Sequence, residues 1–166
     1  IFNKEGWQYI LEVHGGKLPL KIKAVSEGTI VPKGHVLMVA ENTDPKCPWI
    51  TNYFETFLLQ NWYPITVGAF SYSAKKIIHK YLTKTGNPDL LQWKFHDFGV
   101  RGVSSMESSA IGGAAHLMSF SGSDNIPAVS LLKKAYGVTF GDSIPAAEHS
   151  TASSWIKERD FFNHMI

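Results

Sequence analysis

Three loops in the second half of the chain hold most of the polar residues that could do chemistry. The first, residues 96–103, places His96, Asp97, Phe98 and Arg101 among glycines. Glycine lets the backbone approach a ligand closely, and a guanidinium can bind a phosphate through two parallel hydrogen bonds. A tight turn with a surface arginine explains the same residues, and spacing alone favours that simpler interpretation.

Each of the other two loops places a candidate side chain ahead of a predicted helix. Asp124 precedes a helix predicted to start near Ile126, so capping of that helix is the simpler explanation for it. His149 follows Glu148 at the end of the third loop, residues 143–150. A histidine there can act as a nucleophile or a general base, although a packed, structural histidine is the commoner case.

The histidines and carboxylates of these loops are also suitable metal ligands. They lack the HxxxH or HExxH spacing that would make a metal site specific, and no phosphate-binding or dinucleotide-binding fingerprint occurs in the chain. We therefore predict no metal site among these residues. A metal hydrolase remains an alternative that would use His96, Asp97 and His149.

The elements that must position these loops differ between the two halves of the chain. The first half predicts a helix that Asn3 caps and Gly15-Gly16 ends, then short strands at 20–24 and 35–40. Residues 49–82 predict helix with a break at Pro64 and an aromatic and aliphatic stripe, expected to be core. Thr85-Gly86-Asn87-Pro88 is the best boundary.

The second half alternates strand, loop and helix, which is typical of βα units. Residues 91–95 predict a strand, and Phe120 a second, short one. Helices are expected from a capping box at Ser104 and Glu107, over 126–136, and from Thr151 onward. Small residues at 110 and 112–115 would allow the first of these helices to pack closely on a sheet. Ligands of such folds bind at loops that follow strands.

Composition excludes several classes of protein. The 166 residues are 44% hydrophobic and 18% charged, and the net charge is +2. The chain is therefore expected to fold and to have no strong attraction to nucleic acid or to anionic membranes. Cys47 is the only cysteine, which fits a reducing compartment such as the cytoplasm, and no signal peptide or membrane span is found. The chain starts at Ile1 and ends in an apolar run, so we expect an internal fragment.

Six segments, in order along essentially the whole chain, are similar to nicotinamide phosphoribosyltransferases. Three coincide with the polar loops, and the others lie upstream; the segments are HDFGVRGVSS from His96, SFSGSD from Ser119, SIPAAEHS from Ser143, FNKEGW from Phe2, ENTDP from Glu41 and WYPITV from Trp62. The resemblance implies the type II phosphoribosyltransferase fold. Residues 1–86 would belong to an auxiliary α+β domain, and residues 87–166 to the first βα units of an irregular α/β barrel.

The resemblance also implies a reaction and a binding pocket. The family transfers the phosphoribosyl group of phosphoribosyl pyrophosphate to nicotinamide, which gives nicotinamide mononucleotide and pyrophosphate in NAD salvage. Phe98 would stack on the pyridine ring, and Asp124 would accept a hydrogen bond from the carboxamide and repel nicotinate. The rest of the pocket would be lined by Ser143, Ile144 and Ala146.

Further implied roles concern phosphate chemistry and assembly. Arg101 would bind phosphate, and His149 would be the histidine that ATP phosphorylates to promote transfer. Family members are homodimers that use Mg²⁺, whose ligands are expected outside this fragment, so we expect the fragment alone to be inactive and poorly stable. Two alternatives remain: nicotinate phosphoribosyltransferase, which Asp124 opposes, and a non-catalytic binding or signalling fragment.

Overall fold

The computed structural model describes residues 2–165, and its first helix has the ends that the sequence predicts. Helix α1 spans Lys4–His14. The Asn3 side chain accepts a hydrogen bond from Gly6 N at 3.0 Å. Gly15 adopts the left-handed conformation with φ 58° and donates to the Ile10 carbonyl. Both cap predictions are therefore confirmed.

A two-stranded antiparallel sheet follows α1. Strand β1 spans Leu20–Ala24 and strand β2 spans Met38–Asn42, with Leu20 opposite Asn42 and Ala24 opposite Met38. The first strand is as predicted. The second begins three residues later than expected, because Val25 N bonds to the Leu37 carbonyl and the regular ladder starts only beyond that point.

The core of this region forms where α1 meets the segment before the next helix. Ile10, Cys47 and Ile50 are at most 2% exposed. The rings of Trp7 and Trp49 pack edge to face over this core at 5.0 Å between centroids. Burial raises the pKa of the Cys47 thiol, so this cysteine is packed rather than reactive.

Asp44 anchors the turn beside this core. Its carboxylate accepts hydrogen bonds from Lys46 N at 2.9 Å, and from the Tyr9 hydroxyl and His14 Nε2 at 2.8 Å each. These bonds, the one from Lys46 N first, lower the pKa of Asp44 from 3.8 to about 2. The ionised carboxylate therefore ties the turn to α1.

Helix α2 spans Ile50–Leu59 and helix α3 spans Trp62–Thr85. The predicted break at Pro64 is wrong by a few residues, because the chain interrupts at Gln60-Asn61 and Pro64 falls in the first turn of α3, where a missing N–H is tolerated. The expectation of a buried stripe is also wrong for Tyr53, Phe57 and Trp62, which are 47%, 55% and 64% exposed.

Helices dominate the second half. A 3-10 helix, Pro88–Trp93, is followed by a shorter one, Gly99–Gly102. The predicted strand at 91–95 is therefore wrong: Asn87 caps Asp89 N at 2.9 Å, and Pro88 fixes the first helical turn. Up to Met165 the structure has four further helices; they are α4 at Met106–Leu117, α5 at Ile126–Tyr136, α6 at His149–Ser153 and α7 at Glu158–Met165.

The ends of these helices largely follow the predictions. Ser105 caps α4, one residue later than the predicted box at Ser104, and accepts from Ser108 N at 3.0 Å. Gly137 ends α5 with φ 70°, directly after the helix predicted over 126–136. Helix α6 begins at His149, two residues before the predicted Thr151.

Helix α4 packs on α5, and its small residues make this possible. Gly113 is buried, and a Cβ atom built there would lie 2.6 Å from the Ala128 Cβ atom. The close approach that the sequence predicted therefore exists, but it is between two helices and a loop rather than between a helix and a sheet.

Among the described residues of the second half, strand character is limited to backbone bridges between the polar loops. Asp97 pairs in parallel with Ser123, and Gly122 pairs in parallel with Asp142. Phe120 itself lies outside any described strand. The chain is thus a mixed helix and strand protein, and the parallel bridges follow the order that βα units would give.

The backbone contacts divide the chain into a first unit that ends at Ile65 and a second that starts at Thr66. The three polar loops all belong to the second unit. The assignment of residues 1–86 to an auxiliary domain and 87–166 to a barrel stays a prediction. No helix in residues 2–165 has both the length and the apolar character that crossing a bilayer requires.

Candidate ligand-binding site

Backbone hydrogen bonds hold the three polar loops side by side. Asp97 N donates to the Gly122 carbonyl at 3.1 Å, and Asp124 N donates back to the Asp97 carbonyl at 3.1 Å. Ser123 N donates to the Asp142 carbonyl at 2.9 Å and so connects the second loop to the third. We call the place where these segments meet, residues 96–101, 121–125 and 141–144, the three-loop site.

Asp124 stands at the centre of this site. Its Oδ1 atom accepts hydrogen bonds from Ser143 Oγ at 2.7 Å and from His96 Nε2 at 3.0 Å. The bond from Ser143, and then that from His96, lower the pKa of the carboxyl. The side chain is 44% exposed, so an ionised carboxylate remains open to a ligand.

The capping role that the sequence favoured for Asp124 belongs to its neighbour. Asn125 Oδ1 accepts from Ala128 N at 3.1 Å and caps α5. That interpretation of Asp124 is therefore wrong, and a carboxylate that is not needed for capping is available for binding.

Asn125 also ties the first loop to α4. Its Nδ2 atom donates to Asp97 Oδ2 at 2.9 Å and to the Ser109 carbonyl at 3.0 Å, while Ser109 Oγ donates to Oδ1 at 3.1 Å. The other oxygen of Asp97 accepts from Gly99 N at 2.7 Å. Asn125 is only 2% exposed. Its hydrogen bonds are thus satisfied inside the protein, and Asp97 is structural rather than free to react.

Two rings lie against each other beside Asp124. His96 and Phe98 have ring centroids 4.4 Å apart at an interplanar angle of 40°. The His96 side chain is only 6% exposed, whereas Phe98 is 55% exposed. An exposed aromatic face beside an exposed carboxylate is suited to a flat ring that carries a hydrogen-bond donor.

A second buried histidine supports the middle loop from behind. His116 Nε2 lies 3.2 Å from the Gly122 carbonyl, and its Nδ1 lies 2.9 Å from Ser71 Oγ. Because a carbonyl only accepts, Nε2 carries the proton and Ser71 donates to Nδ1. Burial lowers the pKa of His116, which favours this neutral ring.

Lys75 is half-buried and donates to the Ser119 carbonyl. The lysine thereby satisfies the backbone just before the second loop. Neither this contact nor the bonds of His116, Ser71 and Asn125 could be read from spacing. The only sequence signal was the run of small residues in α4, which indicated close packing there.

The structure leaves several predicted site residues outside the hydrogen-bonded cluster. Within residues 2–165, the side-chain bonds among the loops join His96, Asp97, Asp124, Asn125 and Ser143. Arg101 is exposed in the short 3-10 helix, and His149 is exposed at the first residue of α6. Ile144 is half-buried and Ala146 is exposed.

The structure does not bring His96, Asp97 and His149 together as a ligand set. In the part of the chain that the structure describes, no three His, Cys, Asp or Glu side chains group closely enough to hold a metal ion. The nitrogen of His96 that faces Asp124 is engaged in a hydrogen bond. The exposed groups of the site are instead an aromatic face and a carboxylate.

Fold and site together define a mixed α/β protein with an exposed aromatic ring and an exposed carboxylate on paired loops. Comparison with known proteins makes the class specific. Residues 93–165 match the model of the nicotinate phosphoribosyltransferase (NAPRTase) family. The match covers all three polar loops, so residues 93–165 are similar to this family.

Curated relatives extend the similarity along nearly the whole chain. A nicotinamide phosphoribosyltransferase of Xanthomonas campestris pv. campestris is 49% identical over 99% of this chain and 36% of its own length. Proteins of the same name from Acinetobacter baylyi and Mycoplasma pneumoniae are each 34% identical, over 87% and 86% of the chain and 30% of their own lengths. The chain therefore spans about a third of the length of the relatives it matches.

Proposed function

We propose that the full-length protein transfers the phosphoribosyl group of phosphoribosyl pyrophosphate to nicotinamide, giving nicotinamide mononucleotide and pyrophosphate in NAD salvage. The names of the relatives support the reaction. The geometry of the three-loop site supports the choice of nicotinamide as the acceptor. We also propose a cytoplasmic homodimer for the full-length protein.

The single observation that carries the choice of substrate is the exposed, ionised Asp124 carboxylate beside the exposed Phe98 ring. Phe98 provides a face for the electron-poor pyridine ring, and Asp124 accepts from the carboxamide N–H. Nicotinate would bring a second carboxylate to the same place, where like charges repel. Ser143, Ile144 and Ala146 line the rest of the pocket.

Nicotinate transfer is the second candidate, because the family model carries the name of the nicotinate enzyme. The charge of Asp124 opposes it. For nicotinate to bind, one of the two facing carboxyls would have to take up a proton, at a pH well above the ordinary pKa of either group.

Arg101 and His149 act on the phosphate side of the reaction in this proposal. Both are exposed, so both can reach a ligand from solvent. Arg101 binds a phosphate of phosphoribosyl pyrophosphate. An imidazole nitrogen of His149 attacks the γ-phosphorus of ATP, ADP leaves, and the phosphohistidine promotes transfer.

The transfer itself is mainly a matter of positioning. The bond from the anomeric carbon to pyrophosphate loosens while the pyridine nitrogen approaches, so positive charge develops on the ribose. Phe98 and Asp124 fix the ring so that its nitrogen faces that carbon. Residues 2–165 have no set of three ligands for an ion, so the ligands of Mg²⁺ are expected elsewhere in the full-length protein.

We expect the 166-residue chain by itself to lack turnover, because it spans only 36% of the length of the Xanthomonas relative. A binding or signalling role without catalysis is the alternative for the isolated chain. Assays of the chain and of the full-length protein under the same conditions distinguish the two.

The substrate assignment is tested with Asp124→Asn in the full-length protein. We measure product formation with nicotinamide and with nicotinate, in the presence of phosphoribosyl pyrophosphate, Mg²⁺ and ATP. Loss of the charged acceptor should lower kcat/KM for nicotinamide by about tenfold or more and narrow the preference over nicotinate. Asp89→Asn, at an exposed carboxylate of the same unit, is the matched control. Wild-type turnover of nicotinate in preference to nicotinamide would overturn the assignment.

His149→Ala tests the phosphohistidine separately. The variant should retain basal transfer and lose its stimulation by ATP, whereas His79→Ala, at an exposed histidine of α3, should keep that stimulation. If ATP stimulates His149→Ala as it does the wild type, the role of His149 is wrong.

A further inference from the structure

We infer that His96 is the positioning residue of the pyridine pocket: one buried imidazole sets both the orientation of the Asp124 carboxylate and the tilt of the Phe98 ring. This inference rests on the proposed function, since it concerns how that pocket selects nicotinamide. It gives His96 a role distinct from that of the two residues that would touch the substrate.

The first step in the argument is the hydrogen bond to Asp124. A carboxylate only accepts, so His96 Nε2 is the donor in the contact of 3.0 Å to Oδ1. Ser143 Oγ donates to the same oxygen. Within residues 2–165, both side-chain bonds to this carboxylate therefore end on Oδ1, and Oδ2 is the oxygen left to receive a carboxamide N–H.

The second step is the contact with Phe98. The His96 ring lies 4.4 Å from the Phe98 ring, centroid to centroid, and only 6% of its side chain is exposed. Phe98, at 55% exposure, thus has a packed side towards His96 and an open side for a ligand. Movement of the His96 ring would therefore change the orientation of the Asp124 carboxylate and of the Phe98 ring together.

The third step is what holds the His96 ring itself. Its Nδ1 atom is buried and has no hydrogen-bond partner among the described residues. A Cβ atom at Gly122 would lie 2.7 Å from Nδ1, so the ring fits against the bare backbone of the second loop. Packing there and the single bond to Asp124 orient the ring. The His96 ring therefore contributes two things to the site: a hydrogen-bond donor at Nε2 and a flat surface.

Substitutions of His96 in the full-length protein separate the donor from the flat surface. Glutamine extends an amide donor to about the position of Nε2, whereas asparagine, one methylene shorter, does not reach it. Phenylalanine keeps the flat surface and removes the donor. The same three substitutions at His79, which is exposed on α3, provide matched controls.

The measurement is kcat and KM for nicotinamide and for nicotinate. We expect His96→Asn and His96→Phe to raise the KM for nicotinamide and to narrow its preference over nicotinate by about tenfold, because the carboxylate can then rotate. His96→Gln should restore most of the preference. If His96 had only a structural role, its substitution would lower kcat for both substrates in parallel and leave the preference for nicotinamide over nicotinate unchanged. That result would overturn the inference.

A second readout does not depend on turnover. Carbon-13 NMR follows the pKa of the Asp124 carboxyl, which should rise in His96→Asn and His96→Phe but not in His96→Gln or in the His79 variants. If the wild type converts neither pyridine, the proposed function fails while this titration still decides the role of His96. An Asp124 pKa that is the same in all the variants would refute the role of His96. If either His96→Asn or His96→Phe does not fold, the remaining one is compared with His96→Gln.

Discussion

Replacement of Asn125 by aspartate is the sharpest test of how the three loops are held together. The two side chains have the same shape, but the substitution turns a donor into a second carboxylate. Asn125 Nδ2 now lies 2.9 Å from Asp97 Oδ2 and 3.0 Å from the Ser109 carbonyl. After Asn125→Asp, an oxygen with negative charge faces two acceptors inside the protein.

The cost can be worked out from that geometry. Two unit charges at the present separation repel by about 6 kcal/mol at an effective dielectric constant of about 20. The protein can avoid this by binding a proton, which costs about 4 kcal/mol at pH 7 for a carboxyl with an ordinary pKa of about 3.9. The cheaper route sets the penalty, so we expect Asn125→Asp to lose about 4 kcal/mol of stability at pH 7.

The pH dependence follows from the same argument. Repulsion raises the pKa of the new carboxyl in the folded state above its unfolded value, so folding takes up a proton. Stability relative to the wild type therefore rises as the pH falls. At pH 5 the cost of that proton is only about 1.5 kcal/mol, so the variant should recover about 2.5 kcal/mol between pH 7 and pH 5.

The assay is urea denaturation of the full-length protein, followed by tryptophan fluorescence at pH 5, 6 and 7. Asn125→Ala is the control, because it also removes the two bonds that Nδ2 donates, together with those that Oδ1 accepts, and adds no ionisable group. Its deficit relative to the wild type should be the same at each pH. If the deficit of Asn125→Asp is equally independent of pH, Asn125 and Asp97 are not paired as described.

Three further predictions concern other parts of the structure. Gly113→Ala should destabilise the protein by about 1–3 kcal/mol in the same assay, because the added methyl collides with Ala128; an unchanged unfolding midpoint would contradict the close packing. Burial lowers the pKa of His116, so acid should reduce wild-type stability below about pH 6.5, and His116→Gln, which keeps a donor for Gly122, should weaken that dependence; an equal loss in both proteins would argue against it. The lowered pKa of Asp44 stabilises the folded protein above pH 3.8, and this contribution is lost as the pH falls from 3.8 to about 2. Asp44→Asn should therefore lose less stability than the wild type over this range. An unchanged acid profile would refute the role of Asp44.

The helix ends were the part of the fold that the sequence predicted best. Asn3, Gly15 and Gly137 act through their own side chain or backbone, so local chemistry suffices to identify them. The strand expected at 91–95 failed because its alternating pattern competes with Pro88 and the Asn87 cap, which favour a helical turn.

For the candidate site, the sequence indicated the loops but not their connections. Asp124 and Asn125 are adjacent and both are good caps, so spacing could not tell which of them would be free. The contact of His96 with Asp124 and that of His116 with Gly122 depend on which backbone segments pair, and such contacts leave no local pattern. The exposure of Tyr53 and Trp62 has the same cause. A stripe of apolar residues in the sequence indicates an apolar helix face, but it does not indicate which segment covers that face.

The pairing of the three loops has a consequence for how the pocket forms. His96 and Asp124 are 28 residues apart in the chain, and Ser143 is another 19 residues beyond Asp124. Closing loops of this size is cheap, since each doubling of loop length adds only about 0.6 kcal/mol. The three-loop site is therefore encoded in one short, uninterrupted stretch of the chain. Chain synthesis proceeds from the N-terminus, so this stretch can organise on the ribosome as soon as Ser143 has emerged.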